Sequence, residues 1–77
     1  MKIDNMVFEK DSNRYLVIET VVYDGKTYAY LVNSSDELDS MFREVVIDNN
    51  QAKLKIIDKE MFSKKISVLF MEKILNS

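Results

Sequence analysis

The sequence predicts an α+β fold: an antiparallel meander of four to five strands with one C-terminal α-helix packed on one face. Three observations carry this. Alternating β-branched and aromatic runs flank an Asp-Gly pair, and a second alternating run follows it. The last third of the chain then changes to a helical period with no breaker. At 77 residues the chain has room for one small domain, spanning 1–77.

The single glycine of the chain lies in Tyr23-Asp24-Gly25-Lys26. Asp-Gly suits a type I′ turn because both central positions need positive φ. The predicted hairpin is Arg14–Tyr23 with Lys26–Asn33. In a regular register Val21 faces Tyr28, Glu19 faces Tyr30 and Val17 faces Val32, while Ile18 faces Leu31 and Leu16 faces Asn33 on the other side. Upstream, Met6-Val7-Phe8-Glu9 reads as a short strand, turned back by Lys10-Asp11-Ser12-Asn13.

Downstream of a polar, acidic segment from Ser34 to Ser40, Phe42–Asp48 and Ala52–Ile57 form a second predicted hairpin around Asn49-Asn50. Alternation in Lys53-Leu54-Lys55-Ile56 points Leu54 and Ile56 inward, and a two-residue turn sets Glu44 opposite Lys55. A competing pattern overlaps this region. Leu38, Met41, Phe42 and Val45 also fit a helical spacing, and Ser34-x-x-Glu37 has capping-box form. Residues 35–43 therefore stand as either helical or loop and strand.

Asp58 is a suitable N-cap for a helix over Lys59 to Leu75, with Glu60 in its first turn and Lys73 near its end. Phe62, Ile66, Leu69, Phe70 and Ile74 make its core stripe. Met61, Val68, Met71 and Leu75 collect on the opposite side, where a surface helix is normally polar. These four residues are the candidate helix interface. Either the sheet curls around them or a second chain covers them.

The first hairpin raises the same question. One face carries Tyr15, Val17, Val21, Tyr23, Tyr28, Tyr30 and Val32, the other Leu16, Ile18, Val22 and Leu31, and one helix covers only one of them. Tyr15, Tyr28 and Tyr30 are accordingly candidates for a sheet-face protein contact, against the alternative of an ordinary outer face with aromatic cross-strand pairs.

Composition narrows the chemistry. The chain has no cysteine and no histidine, which removes disulfides, zinc knuckles and the commonest general base. A net charge of −2 argues against a nucleic-acid surface. Gly25-Lys26-Thr27 resembles the end of a phosphate-binding loop, but Thr20 stands where the earlier glycine is required. Asp36-Glu37-x-Asp39 lacks the glycine and terminal glutamate of a calcium loop and reads as solvated acid. Asn33-Ser34-Ser35 matches a glycosylation pattern by chance. Met1-Lys2-Ile3-Asp4-Asn5 shows no apolar leader pattern, so the expected location is the cytoplasm. No catalytic, cofactor-binding or metal residue is expected, nor a nucleic-acid, membrane or small-molecule partner.

The order Val22-Tyr23-Asp24-Gly25-Lys26-Thr27-Tyr28-Ala29-Tyr30-Leu31-Val32, then Ser35-Asp36-Glu37-Leu38-Asp39, then Ile57-Asp58-Lys59-Glu60-Met61-Phe62 opening a helix, resembles the YrzB-like family of small bacterial proteins. The resemblance spans nearly the whole chain. It implies the same hairpin, acidic loop and closing helix, and because the family carries no established activity it transfers no catalytic residue.

The expected function is that of a non-enzymatic protein–protein interaction module, self-associating as a dimer through the helix. The alternative is an acidic regulator or inhibitor that docks its acidic loop or tyrosine face on a larger basic partner. An enzyme, the remaining alternative, would require a pocket with convergent polar groups.

Overall fold

The structure, a computed structural model, describes residues 6–76, so the opening Met1-Lys2-Ile3-Asp4-Asn5 stretch lies outside the described residues. Five antiparallel strands follow one another in spatial order: β1 (Val7–Lys10), β2 (Asn13–Tyr23), β3 (Lys26–Asn33), β4 (Asp36–Asp48) and β5 (Gln51–Lys55). A C-terminal helix closes the chain, α-helical over Lys59–Met61 and Ser67–Leu75 with a π-helical segment, Phe62–Ile66, between them.

Three of the four turns share one chemistry. Asp11 and Ser12, Asp24 and Gly25, and Asn49 and Asn50 all have positive φ, as a two-residue type I′ hairpin demands. Their mirror-image twist matches the right-handed twist of the strands they join. The β3–β4 turn works differently. Asn33 Oδ1 accepts a 2.9 Å bond from the Ser35 N–H, and the Ser34 N–H donates to the Arg14 carbonyl at 2.8 Å.

The turn-proximal register of the first hairpin runs as expected, with Val21 opposite Tyr28 and Glu19 opposite Tyr30. Beyond it Ile18 is an extra residue, and the pairing shifts by one. Val17 faces Leu31, not Val32; Leu16 faces Val32, not Asn33; Tyr15 faces Asn33. A one-residue slip moves every later side chain to the other face. Tyr15 and Val17 consequently leave the face of Val21, Tyr28 and Tyr30 and join that of Ala29 and Leu31.

The helical alternative for residues 35–43 is overturned, since β4 begins at Asp36. Asp36 Oδ1 accepts from the Leu38 N–H, a local turn in place of the capping box, and the β-branched run Val45-Val46-Ile47 favours the pleated conformation. Glu44 does face Lys55, while the ion pair on this hairpin runs between Lys53 and Asp48 at 3.5 Å. β5 stops at Lys55, one residue before Ile56, whose side chain is 77 % exposed and does not point inward. Leu54 is half-buried.

Each face of the sheet holds a cluster. Tyr15, Val17, Ala29, Leu31 and Val45 form the first, and Met6 and Phe8 from one edge pack against it together with Ala52 and Leu54 from the other. The sheet is curled, and side chains from both edge strands pack over this one cluster. This is how one face becomes buried without a helix. Val21 and Tyr28 form the second cluster with Ile66 and Phe70 of the helix.

Candidate interaction surface

Asp58 opens the helix as the sequence predicts: its carboxylate accepts from the N–H groups of Glu60 (3.0 Å) and Met61 (3.1 Å). In α geometry, residues four apart are over-rotated by about 40°. The wider π turn between Phe62 and Ile66 offsets this drift, keeping Phe62, Ile66 and Phe70 in one file. The file meets Phe42 of β4. The Phe42 ring lies 4.9 Å from Phe62, 5.0 Å from Phe70 in an edge-on contact, and 4.8 Å from Tyr30, its stacked cross-strand partner.

Two apolar grooves flank this ring. Phe42, Ile56, Ile57 and Phe62 line one, with Arg43 and Lys59 supplying charge. Phe42, Phe70, Met71, Ile74 and Leu75 line the other, with Ser67 the one hydroxyl-bearing side chain among its lining. Ile56, expected to point inward, lines the first of these grooves instead, together with Phe42 and Ile57, to which the sequence reading assigned no surface role. The signal available was the short distance in sequence between the strand end at Lys55 and the helix cap at Asp58, which leaves Ile56 no strand to sit in.

The predicted helix interface residues are exposed: Met61 and Val68 partly, Met71 at 62 % and Leu75 at 76 %. Ile74, assigned by periodicity to the core stripe, is also exposed and belongs with them. Met61 stands apart from the other three, at the opposite end of the helix, where its sulfur accepts a 3.5 Å bond from the Tyr28 hydroxyl.

The predicted tyrosine contact does not form a surface. Tyr15 and Tyr28 are buried, at 7 % and 1 % exposure, and lie in different clusters on opposite faces. Tyr30 is half-buried and stacked on Phe42. The bulge at Ile18 separates Tyr15 from the other two, and the helix covers Tyr28. The Tyr15 hydroxyl instead donates to Asp39 Oδ2 at 2.7 Å, and Asn33 Nδ2 donates to the same oxygen at 3.1 Å. These two donors, the hydroxyl first, hold the Asp39 carboxyl below its ordinary value, and the same bond raises the Tyr15 phenol above its own. Burial raises Tyr28 as well, with Glu44 adding to the effect.

At the far end of the helix, Lys73 Nζ sits 2.9 Å from Glu19 Oε1 and also donates to the Thr20 carbonyl, tying the helix to β2 beside the bulge. This lysine, then the Thr20 N–H, lowers the Glu19 carboxyl.

Part of β4 is an open sheet edge. β5 pairs with Glu44 through Asp48 of β4, so residues 36–43 of β4 run past its end, and among the described residues no strand pairs with their outer edge. Leu38 stands there 91 % exposed.

No group of three or more metal-ligating side chains occurs among the described residues, and no helix of the described chain is long and apolar enough to cross a membrane. Comparison of the chain with protein-family models, with curated proteins and with solved structures finds no match.

Proposed function

We propose that this chain is a non-enzymatic cytoplasmic module that associates with a second copy of itself through the exposed side of its C-terminal helix. The observation that carries the reading is the continuity of apolar surface there. Val68, Met71, Ile74 and Leu75 are all exposed, and the last three border the groove floored by Phe42. In this reading the helix lies over one face of the sheet, with Ile66 and Phe70 turned toward Val21 and Tyr28, and presents its other side to the partner. A domain this short buries only about 60 % of its unfolded surface, so covering a further apolar stripe adds stability that its own core cannot supply. Methionine at such a surface gives an adaptable contact.

Light scattering coupled to size exclusion, over a wide concentration range, tests this. A dimer that Met71→Glu and Leu75→Glu convert to folded monomer is the expected result. A wild-type chain that stays monomeric at high concentration would sink the proposal.

The reading of an acidic regulator that docks a tyrosine face loses its support with the burial of Tyr15 and Tyr28. Its acidic turn, by contrast, belongs to the open edge of β4.

A further inference from the structure

We infer that the second copy seats its helix on the strip of sheet that this chain's own helix leaves bare, so that two parallel helices lie between two sheets. This rests on the self-association reading and names the surface that receives the helix.

The helix crosses the sheet obliquely. Asp58 caps it just past the end of β5, Phe62 meets Phe42 of β4, and Lys73 is held by Glu19 and the Thr20 carbonyl of β2. Its two flanks are therefore distinct. Leu69 and Glu72 border Glu19 on one, while Met71 and Ile74 border Phe42 on the other. On this second flank the same face of the sheet continues past Phe42. Tyr30 pairs with Phe42, and two residues further along the strands Ser40, Val32, Leu16 and Val7 make the next cross-strand row. Leu16 and Val7 are 39 % and 49 % exposed there, and Val32 is half-buried.

The spacing suits a second helix. Same-face rows two residues apart are about 7 Å from one another, and packed helices lie about 8–10 Å apart. The helix already rests on Tyr28 and Phe42, so a neighbour at that distance lies over Leu16 and Val32.

A second copy is the occupant because one two-fold axis covers both bare surfaces at once. The axis runs between the helices and along them. Each helix keeps its underside on its own sheet, meets its counterpart along Met71 and Ile74, and turns Val68 and Leu75 onto the other chain's strip. The small side chain of Ser67 on the meeting flank lets the two helices approach closely. The charges agree with the parallel direction. The second copy's Glu72 comes to the end of the strip where Arg14 stands two residues from Leu16 on the same face, and its Lys65 comes toward Asp36 and Glu37. Within its own chain Arg14 has Glu9 at 3.8 Å, an exposed pair open to a further carboxylate.

Sedimentation equilibrium on the full chain tests this. Leu16→Glu is expected to raise the dimer dissociation constant roughly 30-fold, because each dimer covers that side chain twice. Arg14→Glu and Glu72→Arg, each alone, are expected to weaken self-association, and an equimolar mixture of the two to associate again, since both contacts in the mixed dimer then join opposite charges. A mixture of Lys53→Asp with Asp48→Lys carries the same net charges on the β4–β5 hairpin and is expected to show no such gain. Circular dichroism checks that each variant folds, and the mixture decides if Leu16→Glu does not. A dimer lost with Met71→Glu yet indifferent to Leu16→Glu would overturn the docking on the strip and leave self-association through the helix. Single charge variants that stay apart on mixing would overturn the parallel arrangement. A monomeric wild type would overturn both readings.

Discussion

The hydroxyl of Tyr15 donates a 2.7 Å hydrogen bond to Asp39 across 24 residues of sequence, anchoring the first part of β4 to the first part of β2. It fixes the part of β4 whose outer edge is open, and it makes that part sensitive to pH.

The Asp39 carboxyl is held below 3.8, its ordinary value, by Tyr15 and then by Asn33. A depressed carboxyl contributes stability above its unfolded value, lost as pH falls through the folded one. Acid unfolding followed by circular dichroism is expected to lose part of its steepness below pH 3.8 in Asp39→Asn. The raised Tyr15 phenol acts at the other extreme. Its contribution is complete below pH 10.0 and disappears as pH rises through the folded value, and Tyr15→Phe removes that alkaline limb.

Phe42 joins the sheet to the helix through ring contacts with Phe62 and Phe70, and stacks on Tyr30 within the sheet. Phe42→Ala is expected to cost about 2–4 kcal/mol in urea unfolding, somewhat below the range for a fully buried ring because Phe42 is half-buried. Protection of helix amides from exchange should fall along with it.

The turns can be tuned in both directions. A Cβ built on Gly25 meets nothing within 4 Å, so the cost of Gly25→Ala is conformational, about 1 kcal/mol at its φ of 73°. Ser12 holds φ 68° without glycine's freedom. Ser12→Gly is expected to stabilise by a few tenths to about 1 kcal/mol, and thermal melting of the two variants should move in opposite directions.

Lys73 and Glu19 are both partly exposed, so their ion pair is screened. Lys73→Met should cost under about 1 kcal/mol globally. Its clear signature is faster amide exchange confined to the last helical turn, with the rest of the molecule unchanged.

Much of this architecture was legible in the chain. Asp24-Gly25 set one hairpin, Asn49-Asn50 another, and Asp58 the start of the helix, because each depends on a residue's own φ preference or on a side chain capping its near neighbours. The exposure of Val68, Met71 and Leu75 was legible for a related reason: helical periodicity places residues on a side of the helix regardless of what lies beyond it.

The tertiary structure alone decided the rest. Nothing local marks Ile18 as the extra residue in β2, since a bulge is set by how two strands must curve together, and that one residue moved Tyr15 to the opposite face from Tyr28. Ala29 and Leu31 are buried in a cluster against which β1 and β5 side chains pack from opposite ends of the curled sheet. The fate of Ile56 and Ile74 followed from where β5 stops and where the helix crosses. Short-range propensity is written residue by residue, whereas burial depends on which distant surfaces the closed chain leaves room to meet.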